Sequence, residues 1–453
     1  MTQPPTPSAR KVTLILDDWA FAAEALPDSS WDEVAAAGST VSLPHTWNLA
    51  DGSEGGGYRR GRSTYARRVT ADVRASETWV EFAGVNSTAE VYIGGQLLTR
   101  HHGGYSTFRV NVTEHLVQDA ATIVVVVDNA ANETVYPQQA DFTFYGGIYR
   151  EVRQISVGVT HFALDDDGGP GLTVTPRLAG AGAVVTMNAG VSGVAGAEAS
   201  VRLVIDGEAT ATVPVIGGQA QADLTIEQVR RWHGLRDPHL YTARAELLDG
   251  EAIVDAVELR FGCREFAVDP QRGFLLNGEE YPLRGVSRHQ DFEGAGNAIT
   301  EAMTQTDLAL IREIGATTVR LAHYQHDQRF YDLCDEVGLV VWAEIPQITV
   351  FLPGAVDNAR DQLTELIVQN RHHASIVCWG LSNEITLAGS GDDVVAAHRD
   401  LNDLAHRLDP TRLTAMANLF LLETDHPLVT LPDVISYNLY FGWYVGEARD
   451  NAT

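Results

Sequence analysis

From about residue 265 onward, apolar strands alternate with amphipathic helices, and each strand runs directly into polar side chains. The strands are Tyr281-Pro-Leu-Arg-Gly-Val, Thr318-Val-Arg-Leu-Ala, Leu339-Val-Val-Trp-Ala, Ile376-Val-Cys-Trp-Gly-Leu, Leu413-Thr-Ala-Met-Ala and Val434-Ile-Ser-Tyr. Helical periodicity fills the gaps near 301–315, 327–337, 357–372 and 392–408. This alternation predicts a parallel sheet, and a (β/α)₈ barrel is its closed form. Only six strands can be counted in residues 265–453, whereas a barrel takes eight and about 250 residues. The barrel is therefore expected to be incomplete.

Chemistry in a parallel barrel lies at the carboxyl ends of the strands. Here those ends read Arg288-His289-Gln290-Asp291, Arg320-Leu-Ala-His323-Tyr324, Trp342-Ala-Glu344, Ser382-Asn383-Glu384, Asn418 and Asn438-Leu-Tyr440. Packing explains one such end easily and six together poorly. Each residue alone has a plainer reading. Asn383-Glu384 could cap a helix, the histidines could be hydrogen-bonded core residues, and Glu344 could form a buried ion pair with Arg320 or Arg288. His372-His373 is read as structural, and Glu365, Asp392 and Asp393 as solvated helix faces.

The preceding residues read differently. Up to about 158, short alternating strands such as Thr64–Val69, Thr78–Phe82, Ala89–Ile93 and Thr122–Val127 are separated by turn residues, which predicts a β-sandwich. From 159 to 264 the composition shifts to Ala, Val, Gly and Thr, and seven or so strands fit an immunoglobulin-like sandwich. That middle unit gathers no reactive side chains and is read as a spacer.

Composition narrows the function. With 60 acidic and 32 basic side chains the formal charge is −28, so a nucleic-acid or anionic-membrane partner is not expected. No run of 18 apolar residues offers a membrane span, and the Pro-rich start Met1-Thr-Gln-Pro-Pro lacks the pattern of a secretory signal. Cys263, Cys334 and Cys378 have no metal or disulfide spacing. A cytoplasmic location is the expectation. Neither HExxH nor G-x-S-x-G occurs. Histidines, a carboxylate and the aromatics Tyr324, Trp342, Trp379, Tyr437, Tyr440 and Trp443 instead suit an uncharged, hydroxyl-rich sugar.

Thr318-Val-Arg-Leu-Ala-His-Tyr-Gln-His-Asp resembles the barrel signature of glycoside hydrolase family 2, which includes β-galactosidases, β-glucuronidases and β-mannosidases. Ser375-Ile-Val-Cys-Trp-Gly-Leu-Ser-Asn-Glu384 resembles its acid/base motif. Asp141-Phe-Thr-Phe-Tyr-Gly-Gly-Ile-Tyr-Arg150 is similar to the segment by which the family's sugar-binding sandwich reaches the active site, and Pro44-His-Thr-Trp-Asn to an earlier stretch of it. The resemblance spans nearly the whole chain. It implies a jelly-roll-like sugar-binding sandwich (1–158), an immunoglobulin-like sandwich (159–264) and a TIM barrel (265–453) truncated at its C-terminal end.

The resemblance also implies roles. Glu384 becomes the general acid/base, and Asn383 binds the sugar 2-hydroxyl. His289, His323 and Asp141 contact the sugar, and Tyr440, with Asn438 nearby, hydrogen-bonds the nucleophile. The Glu and His that help hold magnesium in some β-galactosidases are missing after Glu344, which is followed by Ile-Pro-Gln-Ile-Thr-Val, so no metal and no other cofactor is expected. The implied reaction is retaining hydrolysis by two carboxyls about 5–5.5 Å apart. The second belongs to a seventh strand beyond residue 453, so the 453-residue chain is expected to be inactive alone. Its partners would be a β-galactoside or related carbohydrate, and either a second copy or a C-terminal segment that completes the barrel. The leading substrate reading is a terminal β-D-galactoside. A β-glucuronidase is second, a β-mannosidase third, and a carbohydrate-binding protein without catalysis is the alternative from another class.

Overall fold

A computed structural model describes residues 10–49, 57–193, 199–387, 389, 391–440, 442, 446 and 447. The N-terminal part is a sandwich of two antiparallel sheets. One is ordered Lys11–Leu14, Val152–Val157, Glu77–Phe82, Phe108–Asn111; the other contains Arg62–Thr70, Ala120–Asp128 and Thr88–Ile93 at its centre. Alternation along Thr88–Ile93 buries Ala89, Val91 and Ile93 against Val80, Phe82 and Val125, as a period of two requires. The middle part packs two more antiparallel sheets, one built on Gly182–Ser192 and the other on Tyr241–Asp249. Their shared core includes Met187, Leu203, Leu247 and Phe261.

A ribbon of Phe266–Asp269, Gly273–Leu276 and Glu279-Glu280 follows. Leu276 and Tyr281 pack with Val340, Val377 and Ala415, so the ribbon closes the amino-terminal end of the next sheet. That sheet is parallel, with six strands in chain order: β1 (Gly285–Arg288), β2 (Thr318–Leu321), β3 (Val340–Glu344), β4 (Ile376–Asn383), β5 (Leu413–Leu419) and β6 (Val434–Asn438). Between them run α1 (Glu301–Glu313), α2 (Gln328–Val337), α3 (Val356–Asn370) and α4 (Asp392–Leu408). The expected strand–helix order is thus present, and six strands of the eight a barrel needs are described. The first strand begins later than the sequence suggested, because Tyr281 belongs to the ribbon's packing.

Local chemistry sets the helix ends. Thr300 and Asp327 accept the Met303 and Arg329 N–H groups at the starts of α1 and α2, as N-caps do. Gly338 ends α2 at φ 84°, the left-handed conformation that favours glycine. One face of the sheet meets the helices through Val319, Leu321, Val341, Ala343, Trp379 and Leu381. The other lines an apolar hollow of about 430 Å³ with Ser287, Arg320, Trp342, Cys378 and Ala415 among its walls. Trp379, expected as a sugar platform, therefore belongs to the core. It is fully buried, and its indole N–H donates to Asp409 at 3.1 Å, because Trp379 and Leu381 lie on the helix-facing side of β4. Among the described residues no helix is long and apolar enough to cross a membrane.

Candidate active site

Arg320 on β2 organises the carboxyl end of the sheet. Its Nε and Nη2 donate to the two oxygens of Glu344 on β3 at 2.8 and 3.0 Å. Nη2 also donates to Asn383 Oδ1 at 2.8 Å, and the guanidinium lies 5.1 Å over the Trp342 ring. Glu344 is fully buried. Burial alone would raise its pKa, but Arg320 and His323 outweigh that and lower it. Of the two ion-pair partners the sequence offered, Arg320 is the one used; Arg288 instead pairs with Asp307 at 2.7 Å. Bound to a cation and a histidine, Glu344 serves Arg320 as its counter-ion. Gly380 on β4 makes room for it, since a Cβ there would lie 2.4 Å from the Glu344 Cβ.

Asn383 and Glu384 follow at the end of β4. Glu384 has φ +50°, which costs a non-glycine residue about 1–2 kcal/mol. Its N–H donates to the Ala417 carbonyl at 2.8 Å, which holds the turn. Asn438, at the end of β6, spends both amide hydrogens here: one on Asn383 Oδ1 at 2.9 Å, one on Glu384 Oε1 at 2.8 Å. The Tyr440 hydroxyl donates to the same Glu384 oxygen. Burial and the bond to Glu384 push the Tyr440 pKa up, so it stays a donor. The resemblance put this tyrosine on the nucleophile; the structure puts it on Glu384. With two donors on Oε1, a protonated Glu384 keeps Oε2–H to deliver.

His289 and His323 face each other with ring centroids 5.3 Å apart. His323 Nδ1 lies 2.6 Å from Glu344 Oε1 and 3.3 Å from Arg320 Nη2. It cannot donate to one and accept from the other, and the shorter contact fixes Nδ1–H toward Glu344. At His289 the pKa is lowered to about 4, by burial first and by His323 next, so the ring is neutral at pH 7. Phe142, from the sandwich, packs 5.0 Å from His289 and 6.3 Å from His323. Asp141 beside it is exposed and close enough to act electrostatically on His289. The sandwich segment thus reaches the strand ends, as expected.

The expected residues Glu384, Asn383, Asn438 and Tyr440 form one hydrogen-bonded group, His323 joins it through Arg320 and Glu344, and His289 with Asp141 flank it. Asn418 does not join: its amide donates to the Met416 and Ser436 carbonyls and ties β5 to β6. Tyr437 donates to the Leu422 carbonyl, and Trp443 lies outside the described residues. Glu365 is not a solvated helix residue. It accepts from Ser106 Oγ at 2.5 Å and contacts His101 Nε2 at 2.8 Å, because that face of α3 docks on the sandwich. His373 is structural as expected, 2.8 Å from Asp335. Sequence reasoning missed the hub role of Arg320 and the part Tyr324 plays beneath His289. The signal available was alternation, which puts Arg320, Trp342 and Glu344 on one face.

Three segments match models of glycosyl hydrolase family 2: the sugar binding domain over 15–157, the family domain over 170–264 and the TIM barrel domain over 267–451. The crystal structure of an FMN-binding β-glucuronidase from Faecalibacterium prausnitzii L2-6 is 38% identical, with a TM-score of 0.91 over 98% of this chain and 69% of that one. The chain belongs to glycosyl hydrolase family 2. Within the family, a β-glucuronidase of Bacteroides fragilis is 35% identical across 91% of this chain and 62% of its own length. A β-galactosidase of Thermoanaerobacter pseudethanolicus is 27% identical across 93% and 57%. The chain therefore spans about three-fifths of the length of these curated relatives.

Proposed function

We propose that this family 2 chain carries the sugar pocket and the general acid/base of a retaining exo-β-glycosidase, and that its substrates are terminal β-D-glucuronides. The observation that carries the reading is the group at the strand ends, where Glu384 is gripped through one oxygen by Asn438 and Tyr440 while Asn383 stands beside it. Asn383 Oδ1 already accepts from Arg320 and Asn438, which turns its amide hydrogens toward a sugar hydroxyl. Glu384 would protonate the glycosidic oxygen, and after a covalent intermediate forms on a second carboxylate it would activate water as a base. That second carboxylate is the one the resemblance assigns to a seventh strand. A binding protein without catalysis has no use for a proton donor held in this way.

Sequence motifs alone put galactosides first. The 35% and 38% identical relatives are named β-glucuronidases, and that moves glucuronides ahead. The β-galactoside reading stays second, supported by the β-galactosidase relative and by the segments at 320–326 and 342–346. The test is hydrolysis of 4-nitrophenyl β-D-glucuronide and β-D-galactoside by the protein translated from the whole open reading frame. Preferential cleavage of the glucuronide is expected. Glu384→Gln should lower turnover on unactivated glycosides roughly 10²–10⁴-fold and on nitrophenyl glycosides less. Equal losses on both substrate types would remove Glu384 from the acid/base role.

A further inference from the structure

Arg150 ends the sandwich segment that begins at Asp141, and its side chain leaves the sandwich. It is only 4% exposed. Nη1 donates to the carbonyls of Tyr105 at 2.5 Å and Ala83 at 3.3 Å, both within the sandwich. Nη2 donates to Gln290 Oε1 and to the Gln325 carbonyl, both at 2.8 Å. Gln290 follows His289 after β1, and Gln325 lies two residues beyond His323 after β2. The nearest carboxylate in an ion pair with it is Asp327, at 3.8 Å from Nε. A buried cation placed among carbonyl oxygens is costly unless its donors are taken up; both Nη nitrogens are, while Nε has no hydrogen-bond partner among the described residues. Here the fork joins two loops of the sheet to the sandwich.

The grip continues to a catalytically relevant atom. Gln290 is held at its side chain by Arg150, and its Oε1 also accepts from the Asp327 N–H at 3.0 Å. Its own N–H donates to the Tyr324 hydroxyl oxygen at 3.1 Å. Tyr324 is further clamped by Tyr105, whose ring stacks 4.3 Å away at 11° and whose carbonyl accepts from Arg150. The Gln290 N–H fills one acceptor position of the buried Tyr324 hydroxyl, whose own hydrogen needs an acceptor, and His289 Nδ1 lies in reach at 3.2 Å. His289 Nδ1 is then the acceptor, and Nε2 carries the hydrogen. Opposite it stands the His323 ring, held through Nδ1 by Glu344. His289 thus offers a sugar hydroxyl a donor at Nε2.

We infer that Arg150 is a positioning residue, which acts through Gln290, Tyr105 and Tyr324 to hold His289 in the tautomer that donates from Nε2 to the sugar. The inference rests on the glycosidase reading for its last step only. The tautomer itself is observable without any sugar.

The test uses the protein translated from the whole open reading frame, with ¹⁵N-labelled histidine, the His289 signals being assigned by loss in His289→Gln. Wild-type His289 should show a single Nε2–H tautomer at pH 7. In Arg150→Lys, an ammonium cannot span the four acceptors, and His289 should become a mixture of both tautomers. Gln290→Leu leaves three of the four Arg150 acceptors in place and should give the same mixture; it carries the test if Arg150→Lys does not fold. Affinity for methyl β-D-glucuronide, by calorimetry, should fall about tenfold or more in both variants. Variants that melt earlier yet keep the wild-type His289 pattern would show a merely structural role and overturn the inference, as would an Nδ1–H tautomer in the wild type. A wild-type protein that binds neither methyl β-D-glucuronide nor methyl β-D-galactoside would overturn the functional reading, while the tautomer pattern would still decide the role of Arg150.

Discussion

Replacing Glu344 by Gln changes one atom and removes one charge. In the wild type, Arg320 donates twice to this carboxylate and His323 Nδ1–H donates once. Glutamine can accept with its single oxygen, but its amide nitrogen must face a guanidinium N–H, donor against donor. Arg320 is mostly buried and would lose its counter-ion, since the other groups it binds, Asn383 and Asn438, are neutral amides. Breaking a buried pair from one side costs about 3–5 kcal/mol. With an m-value near 2–3 kcal/mol per molar urea for a unit of this size, the unfolding midpoint should fall by about 1–2.5 M. The assay is urea unfolding followed by tryptophan fluorescence, because Trp342 lies directly under Arg320. The folded pKa of Glu344 is lowered from its ordinary value of 4.5. The stabilisation is therefore full above about pH 4.5 and is lost as the pH falls through the folded value. The gap between wild type and Glu344→Gln should shrink in acid. Equal midpoints at pH 7, or a gap unchanged at low pH, would refute the assignment of Glu344 as the Arg320 counter-ion.

Two further outcomes are expected. Asp141→Ala should weaken binding of methyl β-D-glucuronide without moving the melting temperature, since Asp141 is exposed; a drop in melting temperature with unchanged affinity would make it structural. His398 is fully buried between the Val394 carbonyl and Ser382 Oγ, and burial lowers its pKa to about 4. The unfolded chain takes up that proton near pH 6.5 and the folded one does not, so stability should fall from pH 6.5 to 4. His398→Gln should flatten that slope by one proton in a series of urea titrations; an unaltered slope would show that His398 already carries a proton when folded.

Much of this architecture is legible because two periods coexist in the chain. Strands such as Ile376–Asn383 stand out as apolar runs, and α4 matches its predicted span of 392–408. The ribbon before β1 escaped notice because its strands are short. Its turn was nonetheless written in Asn277-Gly278, which adopts φ 54° and 82°. Glu384, Asn383, Asn438 and Tyr440 could be placed at one end of the sheet in advance because parallel strands in register bring their ends together, but the Tyr440–Glu384 bond was not foreseen. What periodicity could not show is which polar helix face meets water. Glu365 reads as part of a solvated face, and Asn358 and Gln369 lie on the same stripe of α3. In fact Asn358 and Gln369 bond the sandwich backbone at Tyr136 and Thr107. The same limit hid Arg150, whose partners lie 140 and 175 residues away in sequence.

The most direct test of the central claim asks which carboxylate Glu384 is. Glu384→Ala, in the protein translated from the whole open reading frame, should be given a 2,4-dinitrophenyl β-D-glucuronide, whose leaving group needs no proton. If Glu384 is the acid/base, a glycosyl-enzyme intermediate still forms, and it waits for a nucleophile that the missing base cannot activate. Added azide should then speed turnover and yield a glycosyl azide of β configuration, the stereochemistry of two successive displacements. An α-configured azide would make Glu384 the nucleophile, and no effect of azide on a fully active Glu384→Ala protein would take it out of the reaction.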